Sequence, residues 1–169
     1  MRDLICQIER AIQARSYYLA LYVTLMLPDI CGAMESDDGL SKRARFVKWF
    51  EKYVAPAYTA YGQRTLTGEV CYAYRCAVLH QGRAQHPNLG FSRILFVEPG
   101  ATTNVFHNNV LNGALNIDVS IFCTDVLKGV EAWLLVAEQS PNYKKNYPLF
   151  MQRHPEGLAP FVLGIPVIG

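Results

Sequence analysis

The chain predicts a mainly helical domain, a bundle of helices with one small β-hairpin inserted before its last long helix. Apolar residues recur in steps of three and four over several long stretches, and cap and stop residues bracket those stretches. A single short β-type segment interrupts them. At 169 residues, 51% hydrophobic and 18% charged, residues 1–169 suit one domain with a sizeable core and are too apolar for disorder.

The elements follow in order. Leu4, Ile5, Ile8, Ala11, Ile12, Leu19, Tyr22, Val23 and Met26 trace one amphipathic helix of about seven turns, ended by Pro28. A loop over Met34 to Gly39 is rich in turn residues. Ser41 then caps a second helix carrying Phe46, Val47, Trp49, Phe50 and Val54, which Pro56 kinks or ends. Thr67 caps a third helix, with Glu69 in its first turn and Gly82 as its stop. Ile94 to Val97 reads as a strand, Pro99-Gly100 as a turn, and Val105-Phe106 and Val110-Leu111 as hairpin partners. Asp118 opens the fourth long helix, which carries Val119, Ile121, Phe122, Val126, Val130, Trp133, Leu134 and Val136. Residues 141–169 form a Pro-rich C-terminal extension expected to pack on the domain, with one short helix near Leu149-Phe150-Met151.

Composition excludes some functions. The net charge of +2 gives no sign of a strongly basic polyanion binder. From Arg64 to Arg93, however, four arginines face one acid, Glu69, so the positive surplus is concentrated there. The apolar run Tyr17 to Leu27 is short for a membrane span and polar at Thr24. Met1-Arg2-Asp3-Leu4, followed by Glu9 and Arg10, does not read as a secretory leader. The five cysteines, Cys6, Cys31, Cys71, Cys76 and Cys123, match no paired metal spacing, so free thiols in the reducing cytoplasm are expected. No Walker-type loop, dinucleotide fingerprint or GxSxG elbow is present, and no cofactor or metal is expected.

The stretch that carries chemistry is Arg75-Cys76-Ala77-Val78-Leu79-His80 on the third helix. At about 100° per residue, Val70, Cys71, Tyr74, Ala77 and Val78 share a core stripe. Arg75 and His80 lie about 110° to either side of it. Tyr72 and Leu79 fall between them on the face pointing away from the core. Covering that face with a second copy of itself would bring two Arg–His pairs together, so a symmetric dimer through helix 67–82 is expected.

A mostly helical domain with Arg-x4-His on a late helix resembles the HEPN superfamily (higher eukaryotes and prokaryotes nucleotide-binding domain). Many members are RNases of toxin–antitoxin, CRISPR-associated and phage-defence systems. The resemblance implies an antiparallel four-helix bundle with an extra short helix, and a composite site across a homodimer. Arg75 would be the motif arginine and His80 the motif histidine. It further implies RNA as substrate and an antitoxin or other partner protein. Cys76 departs from the family pattern, standing where Asn, Asp or His is common. Gln81-Gly82 lacks the tyrosine of the subgroup modified by a nucleotidyltransferase.

The residue types also suit RNA cleavage on their own terms. Histidine can serve as base or acid, and arginine presents a charged planar fork to phosphate oxygens. The helix end beside His80 repels phosphate, which makes a nearby arginine more necessary. The other reading is a bundle without cleavage, in which Arg75 and His80 bind a nucleotide, RNA or protein partner. Glu69 and Cys76 share the face of His80 and could support it, although helical Cys is ordinarily packing and first-turn Glu a dipole partner. His86, His107 and His154 read as surface or capping residues, and Tyr18 and Tyr22 as core or interface rather than a base-stacking platform. Lys42-Arg43-Ala44-Arg45 and Lys144-Lys145 read as solvated faces.

Overall fold

The first apolar stretch folds as two helices, not one. In the computed structural model, which describes residues 1–169 apart from Tyr61, Ala101, Thr102 and Asn104, α1 (Arg2–Gln13) ends before α2 (Tyr17–Met34) begins. Arg15 takes a left-handed conformation, φ 56°. The Ser16 N–H donates to the Ala11 carbonyl at 2.8 Å and the Arg15 N–H to that of Ile12 at 3.0 Å. This crossed pair of bonds satisfies the last carbonyls of a helix, and glycine ordinarily occupies the left-handed place within it. Arginine there hides the stop from a reading of apolar spacing. Arg15→Gly is expected to stabilise the chain by about 1 kcal/mol, read as a raised denaturation midpoint. An unchanged or lowered midpoint would contradict this assignment of the stop.

Pro28 lies inside α2 and does not end it. A proline within a helix costs about 3 kcal/mol through a lost bond and a ring clash. Burial of Leu25, Leu27, Cys31 and Met34, all at most 4% exposed, offsets that cost. The helix is apolar on nearly every face, as an element inside a core should be. It packs against α1 and against α3 (Arg43–Tyr53), α4 (Gly68–Gln81), α5 (Val119–Ala137) and α6 (Pro141–Asn146). Its 18 residues and mean hydropathy of 1.3 would meet the length and composition of a membrane span, yet 56% of it is buried within this fold. The run Tyr17 to Leu27 understates it because the helix continues through Pro28 and Asp29.

Ser41 does not cap α3; Lys42 stands at that position without a side-chain cap bond. The loop before α3 is fastened by Asp38, whose carboxylate accepts from the Leu40 N–H at 3.0 Å and pairs with Lys42 at 2.5 Å and with Arg45. Lys145 Nζ donates to the Asp37 carbonyl at 2.7 Å. The two basic clusters are therefore partly used within the fold. The helix ends at Tyr53 and Pro56 sits in a 3₁₀ turn, Ala55–Ala57.

After the hairpin of β1 (Thr59–Ala60) and β2 (Gln63–Arg64), the predicted β-segment becomes a three-stranded sheet. Strand β3 (Arg93–Val97) runs parallel to β5 (Ala114–Asp118), and β4 (Asn109–Leu111) pairs antiparallel on the other side of β5. Val105 and Phe106 carry no strand, so the expected partner of β3 is corrected. The hairpin closes instead on Asn112-Gly113, with φ 50° and 74°, the two-residue turn that matches strand twist. Every residue of β5 is buried, Asn116 and Asp118 included. Asp118 ends the strand and caps α5, accepting from the Ile121 N–H at 2.9 Å.

The extension carries α6 and, directly after it, a 3₁₀ turn over Tyr147–Leu149, which reaches the expected short helix near Leu149-Phe150-Met151 only at Leu149. Its buried Asn146 donates to the carbonyls of Met34 at 3.1 Å and Ser36 at 2.7 Å, satisfying the C-terminal end of α2. The last residues pair with one another: β6 (Arg153–His154) with β9 (Val167–Ile168), and β7 (Gly157–Leu158) with β8 (Val162–Leu163). Phe161, Leu163, Ile165 and Ile168 remain exposed, so residues 141–150 supply most of the extension's packing. One contiguous core joins Ile8, Leu25, Trp49, Tyr74, Leu115, Val130 and Tyr143.

Candidate functional site

Helix α4 has the bounds that its sequence dictates. Thr67 Oγ1 accepts from the Val70 N–H at 3.2 Å. Glu51 Oε1 accepts from the Gly68 N–H at 2.7 Å, filling a second orphan donor of the first turn. Gly82 closes the helix at φ 62°. Gly68 is required by contact: a Cβ there would lie 2.8 Å from the Val47 carbonyl oxygen. Cys71, Tyr74, Ala77 and Val78 are buried as expected, Val70 of the expected stripe is half-buried, and Ala73 joins the buried set.

Arg75 and His80 come together at the C-terminal half of this helix. Arg75 Nη1 lies 2.7 Å from His80 Nε2. Arginine only donates, so the contact is a hydrogen bond when His80 Nε2 accepts, which assigns the ring proton to Nδ1. Their positions on the helix differ by about 140°. The bond therefore requires both side chains to bend over Leu79 and Cys76, which lie between them. His80 is exposed, whereas only 18% of the Arg75 side chain is. The placement of Arg75 on an open rim is thus corrected.

Asp29 of α2 accounts for that burial. Its Oδ2 lies 2.7 Å from Arg75 Nη2, and its side chain is 10% exposed. The Ser41 hydroxyl donates to its other oxygen, Oδ1. Neither Asp29 Oδ2 nor Arg75 Nε has an aligned hydrogen bond among the described residues. The attraction is therefore Coulombic and the guanidinium fork is not engaged bidentately. Asp29 and Ser41 were not among the residues expected at the site. The available signal was a carboxylate in the apolar run Leu27-Pro28-Asp29-Ile30-Cys31, since a charge buried in such a run requires a partner.

The outward face of α4 is not bare along its length. Tyr72 packs edge-on against Phe46 of α3 at 5.2 Å, and the Arg43 guanidinium stands 5.9 Å from its ring centre. Burial, then neighbouring Cys76, pushes the pKa of the Tyr72 phenol up. Glu69 pairs with Arg43 at 2.6 Å across α3 and α4, so its carboxylate is engaged away from His80. The open part of the face is the last turn, with half-buried Cys76 and Leu79 beside exposed His80. Among the described residues, no group of three or more His, Cys, Asp and Glu side chains is placed to hold a metal ion. Of the arginines from Arg64 to Arg93, Arg64 pairs with Glu51 and Arg75 with Asp29, while Arg83 and Arg93 have no ion pair among the described residues.

His86 Nδ1 accepts from the Asn88 N–H at 3.2 Å, a capping role. His107 is not a surface residue. It is half-buried beside Tyr58, ring centres 5.4 Å apart, and the Tyr58 hydroxyl donates to Asp125 at 3.3 Å. Burial pushes the His107 imidazole below its ordinary value, and the Asp125 and Asp118 carboxylates oppose that shift. Between the two values the unfolded chain binds a proton that the native chain does not, so stability rises with pH there. The expected result is a denaturation midpoint that climbs with pH below about 6.5 and flattens in His107→Gln. An equally steep profile in the variant would assign that dependence to other groups.

Comparison of the chain with protein-family models, with curated proteins and with solved structures finds no match.

Proposed function

We propose that the chain is a metal-independent endoribonuclease of HEPN type that acts as a homodimer, as a toxin or phage-defence effector. The observation that carries the reading is the Arg75–His80 contact at the exposed end of α4. On this reading α2, α3, α4 and α5 are the four helices of the HEPN bundle, with α1 and α6 as additions. RNA is cut by attack of a ribose 2′-oxygen on the adjacent phosphorus. The P–O5′ bond breaks, one group takes the 2′ proton, and another supplies a proton to O5′. His80, accepting at Nε2, is prepared to take the proton once phosphate draws Arg75 away from it. Arg75 stabilises the charge that gathers on the phosphorane oxygens. The protonated partner required for the leaving oxygen is the His80 of a second copy, which is why a dimer is part of the proposal.

The ion pair to Asp29 favours a second reading, a non-catalytic module in which Arg75 is a structural cation and the helix end binds a partner. Sedimentation velocity at the concentrations used for RNA cleavage separates the two. The endoribonuclease reading expects a species of twice the 19.0 kDa chain mass that cleaves unstructured RNA. A dimer or monomer without cleavage supports the module, and a cleaving monomer removes the second histidine from the mechanism.

A further inference from the structure

A cavity of about 320 Å³ opens where the end of α4 meets α2 and β3. The rings of Tyr18 and Tyr22 from α2, Tyr74 from α4 and Phe96 from β3 converge on it, and Arg83 and Glu98 stand at its edge. Its size lies at the small end of ligand pockets. Gly82, two residues after His80, is part of its wall, so it adjoins the candidate catalytic end of the helix. We infer that this cavity holds one unpaired nucleobase of the RNA, turned out of the strand beside the phosphate that is cut. The inference rests on the endoribonuclease reading and adds a single-stranded, base-selective substrate to it.

Four features favour a base over other occupants. First, Tyr18 is 79% exposed and Tyr22 37%, so of the core or interface places their helical spacing suggested, the core is excluded. They stand edge to face, 6.3 Å apart, on the solvent side of the slot. Aromatic side chains lining a slot are what a nucleobase stacks on, and every base offers a π-face. Second, Tyr74 is buried among the lining residues and its hydroxyl has no hydrogen-bond partner among the described residues. Burial, then the nearby Tyr22 phenol, pushes its pKa up, so the hydroxyl keeps its proton and can donate to a base. Third, Arg83 and Glu98 share the rim without an ion pair to each other, both exposed. The guanidinium can take the phosphate of the bound nucleotide. A carboxylate repels phosphate but accepts from the N–H donors of a base edge. Guanine alone offers two adjacent donors, N1–H and the exocyclic N2–H, to the two carboxylate oxygens, so the rim favours guanine. Fourth, Gly82 of the cavity wall caps the same end of α4 that carries His80.

The test uses 2′-O-methyl trinucleotides, which lack the attacking hydroxyl and report binding alone, with each of the four bases or an abasic unit in the middle. They are titrated calorimetrically into the intact chain and into Tyr22→Ala, Tyr22→Trp, Arg83→Gln and Glu98→Gln. The inference expects the abasic trinucleotide and Tyr22→Ala each to weaken binding about tenfold or more, and Tyr22→Trp to retain it. It expects guanosine to bind more tightly than the other bases, a preference that Glu98→Gln reduces, and Arg83→Gln to lower the salt dependence. Tyr22→Trp keeps the ring, so its retention of binding distinguishes stacking from a folding defect in Tyr22→Ala. Binding indifferent to the middle base and to Tyr22→Ala, or no binding by the intact chain, overturns the inference. Such a result beside active RNA cleavage leaves the endoribonuclease reading standing. Base-dependent binding without any cleavage does the opposite.

Discussion

His80→Ala is expected to lower the rate of RNA cleavage by about a hundredfold to ten-thousandfold, the contribution of a positioned proton-transfer group. The residue is exposed and its side chain bonds, among the described residues, to Arg75 alone, so the same change should leave folding stability within about 0.5 kcal/mol. That separation makes the variant informative. Loss of rate with an unchanged denaturation midpoint places the effect in the chemistry. His80→Gln should be as inactive as alanine, because an amide can accept from Arg75 but does not take up a proton near neutrality. A rate within twofold of the unaltered chain in either variant removes His80 from the mechanism.

Asp29→Ala is expected to destabilise the chain by about 3 kcal/mol, the largest stability effect of any substitution at the site. The reason is asymmetry. The carboxylate and guanidinium are 10% and 18% exposed, and deleting the acid leaves a buried cation without a counter-charge. It also leaves the Ser41 hydroxyl without its acceptor. Asp29→Asn should cost less, since the amide oxygen still accepts from Ser41 while the charge is lost. Arg75→Leu in the Asp29→Ala background should recover part of the loss by removing the stranded charge, at the expense of cleavage. Equilibrium urea denaturation measures all three. A change below about 0.5 kcal/mol in Asp29→Ala would show that Arg75 is held by something other than this pair.

The parts of the structure that local chemistry determines were legible in the sequence. Thr67 and Gly82 bound α4, and Asp118 opens α5, because a cap is decided by residues within one turn of the helix end. The core stripe of α4 followed from helical period alone. Features set by distant partners were not legible. Asp29 directly follows a proline that looked like a stop, and its meaning depends on Arg75, which lies in another helix. Strand β5 alternates no faces because both are covered, and its parallel partner β3 arrives from another part of the chain. Asn112-Gly113 is a readable hairpin-turn signal that the choice of Pro99-Gly100 as the turn overlooked. The outward face of α4 looked bare because nothing in its own sequence announces Arg43 and Phe46 of α3. Its partial cover shifts the argument for a dimer from apolar burial to the count of histidines that the reaction needs.

The central claim is that Arg75 and His80 direct a ribose 2′-oxygen at phosphorus without a metal. End-group analysis of RNA cut in the presence of EDTA tests it most directly. The account predicts undiminished cleavage, products ending in 2′,3′-cyclic phosphate and 5′-hydroxyl, and no cut at a position carrying a single 2′-deoxyribose. Cleavage abolished by the chelator, 5′-phosphate ends, or a cut at the deoxy position would contradict it.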